Sequence, residues 1–200
     1  MPGTTQTPEQ IKATIKSRFA KIASAPQEEL AFVVGASSAK HLGYDPAEID
    51  SLPDSLTESF AGVGNPLALQ ELQPGQRILD LGSGAGLDSI LAARRVAPDG
   101  SVVGIDFSAE MVSKARHNAR LVAARNVEFQ QAEADDLPLS SESVDVVLSN
   151  GVFNLCVDKA KVSAELFRVL LPGGRIQMAD ILLEDSVTTD EIAQKGEWSD

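Results

Sequence analysis

Residues 79–86 read Leu-Asp-Leu-Gly-Ser-Gly-Ala-Gly, an apolar run that breaks into alternating glycines. Glycines at Gly82, Gly84 and Gly86 let the backbone approach a ligand closely, as cofactor-binding loops require. The dinucleotide fingerprint Gly-x-Gly-x-x-Gly is not met, because the third glycine comes one residue early and Leu87 fills its slot. Asp80, two residues before the first glycine, would repel a pyrophosphate and favour a ligand carrying positive charge. The bland alternative is a glycine-rich connection that merely packs a helix on a strand.

Further along, polar groups recur at the ends of apolar runs. Asp106 lies twenty residues beyond Gly86, where a carboxylate can accept both ribose hydroxyls or simply cap a turn. Glu133, in Ala132-Glu133-Ala134-Asp135-Asp136-Leu137-Pro138, can accept from an adenine amino group or sit in a solvated acidic loop. Ser149-Asn150-Gly151 ends another apolar run with polar groups and a flexible backbone. These endings in succession point to one ligand-binding edge.

Periodicity supplies the framework on which those residues sit. Apolar runs at Arg77–Leu81, Ser101–Ile105, Val127–Phe129, Val144–Leu148 and Arg175–Ala179 read as strands, and Leu87–Val96, Ala109–Ala124 and Lys159–Leu170 as helices. Pro98-Asp99-Gly100 and Pro172-Gly173-Gly174 supply turns before the second and fifth strands. The alternation predicts an α/β fold, a doubly wound, mostly parallel Rossmann-like sheet with helices on both faces. Upstream, Thr7 is placed to cap a helix opened by Pro8, with a stripe at Ile11, Ile15, Phe19 and Ile22. Short helical phrases come next at Ser37–Leu42, Pro46–Leu52 and Ser55–Phe60, and Asn65 caps a further helix from Pro66. Residues 1–64 are therefore expected to form a helical appendage or lid, and residues 65–200 the ligand-binding domain.

Composition narrows the function. The 200 residues carry a formal charge of −12, which argues against nucleic acid, whose backbone is bound by Lys and Arg. A single cysteine, Cys156, rules out an internal disulfide and a cysteine-cluster metal site, and no metal is expected. No apolar stretch is long enough for a membrane span and no signal peptide is evident, so a cytoplasmic protein is expected.

The strings LDLGSGAG, GIDFSAEM, NVEFQQAEADDLP, LSNGVFNL and RVLLPGGRI resemble, in order, the motifs of class I S-adenosylmethionine-dependent methyltransferases over roughly residues 62–182. Within that superfamily, Leu42-Gly43-Tyr44, Gly62-Val63-Gly64-Asn65-Pro66 and Ser149-Asn150-Gly151-Val152 are most similar to the arsenite methyltransferase group. The resemblance implies S-adenosylmethionine as cofactor and a small-molecule methyl acceptor. It implies that Asp80, Gly82, Ser83 and Gly84 hold the methionine moiety, that Gly86 belongs to the same cofactor-binding set, and that Asp106 takes the ribose. Phe107 and Met111 would flank the adenine, Glu133 and the Ala134 amide would read its edge, and Asn150 would line the pocket near the methyl group. His41, Tyr44, Asn150 and Asp180 are candidates for a base or an acceptor-orienting group; Asp180 could equally be a cap.

Members of the arsenite group hold trivalent arsenic with cysteine thiolates, which by resemblance belong at Val63 and Gly151. Cys156 lies five residues beyond the second position and is out of register, a small buried hydrophobe by default. Two other readings stand beside the methyltransferase: an NAD(P)-dependent oxidoreductase on the same architecture, and a non-catalytic binding or assembly module. The resemblance also implies a strand order 3-2-1-4-5 continued by a terminal hairpin that Leu182–Asp200 does not supply, as in a shortened chain or a naturally short relative. The edge of the fifth strand would then pair with a second copy, giving a homodimer, or be covered by that segment.

Overall fold

The computed structural model describes residues 7–28 and 33–182. Five parallel strands, β1 (Arg77–Leu81), β2 (Ser101–Asp106), β3 (Val127–Gln131), β4 (Val144–Asn150) and β5 (Leu170–Ala179), form one sheet in the order β3-β2-β1-β4-β5. Period-two alternation decides its two faces. Ile78, Val102, Val146 and Leu148 pack on one side, while Leu79, Leu81, Ile105 and Val147 pack on the other.

Helices complete both layers. On the first face lie α5 (Leu87–Val96) and α6 (Ala109–Leu121), through Ile90, Leu91, Val112 and Ala115; on the second lies α7 (Lys159–Val169), through Val162, Leu166 and Val169. Thr7 caps α1 (Pro8–Ser24) in a reciprocal capping box with Gln10. The short helices α2 (Ala36–His41), α3 (Pro46–Asp50) and α4 (Asp54–Thr57), with the turns that join them, send Ala39, Tyr44, Ile49, Leu52, Leu56 and Phe60 into the same core as the first face of the sheet. Lys114 of α6 ties this upstream segment down, its Nζ donating to Ala23 O (2.9 Å), Ser59 Oγ (2.7 Å) and Glu58 Oε1 (2.6 Å). It is thus a cross-link between segments.

Three details depart from the sequence reading. Asn65 does cap Leu67 N (3.1 Å), but only a 3₁₀ turn at Pro66–Ala68 comes after it, because the chain must leave for β1 by way of Pro74-Gly75. The Pro172-Gly173-Gly174 segment lies inside β5, beside a register shift against β4, instead of ahead of the strand. Helix α6 stops at Leu121, with Ala123 at φ 53° ending it.

Because the strands are parallel, their carboxyl ends share one edge. The chain runs from β1 outward to β3 and then crosses back to β4 on the other side of β1, which opens a crevice between the ends of β1 and β4. At the other flank, β5 is the outermost described strand, and Ile176, Ile181, Leu182 and Phe167 of α7 are exposed there. Residues 183–200 lie outside the described residues, and with them the expectation about a missing terminal hairpin. Among the described residues no helix is long and apolar enough to cross a membrane.

Candidate active site

The loop after β1 is fastened before it meets any ligand. Gly82 N and Ser83 N both donate to Ile105 O (2.7 and 2.9 Å), which leaves the remainder of the loop projecting over the crevice. Gly82 has φ +69°, and a Cβ there would lie 2.2 Å from Val152 Cγ2, so only glycine fits. Gly84 has φ +51° and nothing within 4 Å of where a Cβ would stand, an opening in a cavity wall. Beside it, the Ser83 Oγ is buried with no hydrogen-bond partner. An orphaned buried hydroxyl next to a bare backbone is a socket for a polar ligand.

Negative charge surrounds that socket. Asp106 is 6% exposed and lines the cavity; its carboxylate accepts from Gly84 N and Ser108 N, each at 2.9 Å. Burial pushes its pKa up to about 6, against the opposing pull of those amides. Asp80 is buried and accepts from Ser89 Oγ at 2.5 Å; burial and the nearby Asp88 charge raise its pKa. Asp88, in the first turn of α5, also lines the cavity, and burial raises its pKa too. Lys12, on α1, is the one basic side chain among the described lining residues, and it lies 3.2 Å from Glu133 and 3.6 Å from Asp135. A pyrophosphate is repelled here, whereas a cationic ligand with hydroxyl groups fits.

A model of the methyltransferase domain matches residues 72–199. The chain belongs to this methyltransferase family. An arsenite methyltransferase of Halobacterium salinarum is 41% identical over 189 residues, covering 88% of the chain and 48% of that relative. A demethylmenaquinone methyltransferase of Lactococcus lactis is 39% identical over 102 residues, covering 51% of the chain and 40% of the relative. The crystal structure of CrArsM, an arsenic(III) S-adenosylmethionine methyltransferase from Chlamydomonas reinhardtii, superposes with a TM-score of 0.57 at 34% identity, over 74% of this chain and 50% of that one. The chain thus spans about half the length of the curated relatives it matches.

In this methyltransferase domain the structure gathers Gly82, Ser83, Gly84, Asp106, Phe107, Met111, Glu133, Ala134 and Asn150 around one cavity. Asp80 and Gly86 stand behind the loop, outside the lining; Gly86 is the N-cap of α5. The remaining candidates are committed elsewhere. His41 is exposed at the end of α2, away from the cavity. Asp180 uses its carboxylate to accept from Phe153 N (2.8 Å) and Asn154 N, which is the capping alternative. Tyr44, 3% exposed, lies behind the wall and donates to Asp88 Oδ1 at 2.5 Å.

Asn150 is in the lining, but every group of its amide is used. Its Oδ1 accepts from Val63 N (2.9 Å) and Gly64 N (3.1 Å), and its Nδ2 donates to Gly64 O (2.9 Å), Asp88 Oδ2 (3.0 Å) and Tyr44 Oη (3.1 Å). It is a clamp on the Gly62–Gly64 segment. That clamp brings together the two positions singled out for arsenic-binding cysteines: a Cβ on Gly151 would lie 3.1 Å from Val63 Cγ1. Cys156 lines the cavity as well, its thiol 3.4 Å from Val152 O and pushed up to about 11 by burial. It is a neutral thiol at ordinary pH.

Sequence reasoning missed Asp88, Lys12, Phe19 and Phe60 as cavity residues. Asp88 had a signal, a carboxylate two residues after the last glycine, but one that helix N-termini attract on their own account. Phe19 belonged to a helical stripe that reads equally well as core. Nothing local marks Lys12.

Proposed function

We propose that this domain binds S-adenosylmethionine and transfers its methyl group to a small-molecule acceptor. The observation that carries the reading is the buried, unpartnered Ser83 hydroxyl beside the open Gly84 backbone, in a cavity that Asp88 and Asp106 also line, with Asp80 buried behind the loop. When bound, S-adenosylmethionine supplies an electrophilic methyl carbon on a sulfonium, which an acceptor lone pair displaces in line, leaving the neutral thioether.

The chain's own residues hold and align. Asp106 accepts backbone amides on both oxygens, from Gly84 and Ser108 with Phe107 contributing, and its remaining acceptor capacity faces the cavity for the ribose hydroxyls. Phe107 and Met111 flank the adenine, and Glu133 with the Ala134 amide reads its edge. Ser83 and the Gly82–Gly86 loop take the methionine end, with Asp80 behind them contributing charge. Positioning must supply most of the acceleration, because no uncommitted base faces the acceptor end among the described residues.

That end is walled by Leu56, Phe60, Gly62, Gly151, Val152 and Leu155. Relatives resembling this chain would present two thiolates where Val63 and Gly151 adjoin; here a methyl-bearing side chain and a bare backbone meet. Arsenite is therefore a poor acceptor, and a small apolar nucleophile is the better one. The outer edge of β5, the outermost described strand, is the surface by which two copies would pair.

Calorimetry with S-adenosylmethionine and S-adenosylhomocysteine, then an acceptor panel that includes arsenite, tests the reading. Binding of both nucleosides and no arsenite turnover are expected. Failure to bind either removes the cofactor assignment. Robust arsenite conversion that survives Cys156→Ser would show that the missing thiolates do not matter.

A further inference from the structure

Asp88 is a cavity carboxylate to which the cofactor and acceptor roles assign no contact. It is 7% exposed and lines the cavity. Its oxygens are held from two directions: Tyr44 Oη–H donates to Oδ1 at 2.5 Å and Asn150 Nδ2–H to Oδ2 at 3.0 Å. Both donors are neutral. The nearby Arg95 guanidinium is engaged with Glu48 at 3.1 Å, and it bonds there instead of to Asp88. The carboxyl group of Asp88 is therefore fixed in place and hydrogen-bonded, without a cation in direct contact, and burial favours its neutral form until a positive charge arrives. Asp80 lies close behind, accepting from Ser89, and burial with the neighbouring Asp88 pushes its pKa up to about 8, so that the two carboxyl groups resist ionising together. Buried like charges without a paired cation are costly, and a ligand bearing positive charge relieves that cost.

Position says which positive charge. Asn150, which holds Asp88, also clamps the backbone of Val63 and Gly64, so Asp88 sits where the glycine loop meets the acceptor end. Phe107 and Glu133, assigned to the adenine, lie at the ends of other strands. At this junction the charge that changes during transfer is the one on sulfur, positive before and neutral after.

We infer that Asp88, held by Tyr44 and Asn150, is a positioning residue that supplies the counter-charge to the sulfonium and so makes the site prefer the charged cofactor over its neutral-sulfur product. The inference rests on the proposed binding of S-adenosylmethionine. It gives the Tyr44–Asp88–Asn150 network a purpose beyond tying segments together: it holds a charge still, where a mobile or solvated carboxylate would be screened.

The test is a ratio. S-adenosylmethionine and S-adenosylhomocysteine share adenosine and amino-acid ends and differ in the sulfonium methyl and its charge, so the change in the ratio of their dissociation constants when Asp88 loses its charge reports the sulfur charge. Asp88→Asn keeps the shape and removes the charge; it is expected to weaken S-adenosylmethionine roughly tenfold and S-adenosylhomocysteine by less than about threefold. Tyr44→Phe removes an anchor and keeps the charge, and is expected to leave the ratio within about twofold. Equal weakening of both ligands in Asp88→Asn would reduce the residue to a structural tie and overturn the inference. Should Asp88→Asn not fold, the unmodified chain decides: an analogue with an ammonium-bearing carbon in place of the sulfonium must bind several-fold tighter than S-adenosylhomocysteine, and equal binding overturns the inference. Binding of none of these ligands by the unmodified chain overturns the cofactor reading itself, an outcome distinct from binding without charge preference.

Discussion

The two halves of the cavity are built on opposite plans. Around the glycine loop, polar groups are left ready: the Ser83 hydroxyl has no partner, Gly84 opens onto space, and Asp106 keeps spare lone pairs. At the acceptor end the comparable groups are committed. Asn150 uses its whole amide, largely on a backbone segment, Tyr44 is spent behind the wall on Asp88 and Asn150, Asp180 is spent on the Phe153 and Asn154 amides, and the wall is largely apolar. On the proposed reading, specificity for the cofactor is written in hydrogen bonds and charge, and the acceptor is selected by shape.

The largest effect expected from this contrast appears on titrating the ligand-free protein. Asp106 has a folded pKa of about 6 against 3.8 for an ordinary aspartate, so the fold holds its proton more tightly than the unfolded chain. Its favourable contribution is complete below the unfolded value and is lost as the pH rises through 6, a fall of up to ~3 kcal/mol. Asp80 and Asp88, also raised, extend the fall with the same sign. Urea unfolding at pH 4, 5, 6 and 7 should show the decline, and Asp106→Ala should flatten it. An identical slope in that variant would mean that Asp106 does not titrate in this window.

Next in size, Asp106→Ala should weaken S-adenosylhomocysteine by about 1.5–3 kcal/mol, the range for hydrogen bonds to a charged group. Unchanged affinity would take Asp106 out of the cofactor half. For the other half, Gly62→Ala is the probe. A Cβ there would lie 2.5 Å from Asn150 Nδ2 and 2.6 Å from Phe60 Cζ, and the Asn150 amide has nowhere to go. Overpacking should cost about 1–3 kcal/mol of stability, and acceptor turnover should suffer more than cofactor affinity. Equal losses in both would blur the division between the halves. The smallest effect is expected from Lys12→Ala, which frees half-exposed Glu133 for the adenine edge. As a surface ion pair it is worth roughly 0.2–1 kcal/mol, read as a slight change in cofactor affinity that fades at high salt.

Much of this was legible in the chain itself. The strands and helices from Arg77 onward fall within a few residues of where apolar periodicity put them, since both sheet faces are buried and a slip would expose them. The glycine loop and Asp106 announced themselves because their chemistry is local: backbone openness and a carboxylate at a strand end. Asn150 was visible as a pocket residue, but its role as a clamp was not, because the Val63 and Gly64 amides it grips lie 87 and 86 residues away. The same holds for Asp88 and Tyr44, 44 residues apart, whose pairing depends on how the upstream helices dock. Long-range pairing is what a one-dimensional reading lacks. The clusters that form within a turn or two it captures.

Helix α1 bears on kinetics. Its Lys12, Ile15 and Phe19 all face the cavity, and Phe19 meets Phe107 edge-on with ring centroids 6.4 Å apart. The helix is held by a small cluster of Ile22 and Ala23 with Ala85 and Met111, separate from the main core, and by Lys114 and Ser59 on the Ala23 and Ile22 carbonyls. Loosening those few ties would uncover the cavity without disturbing the sheet. Substitutions at Phe19 or Ile22 are therefore expected to show first in the dissociation rate of a bound molecule, with equilibrium affinity trailing behind.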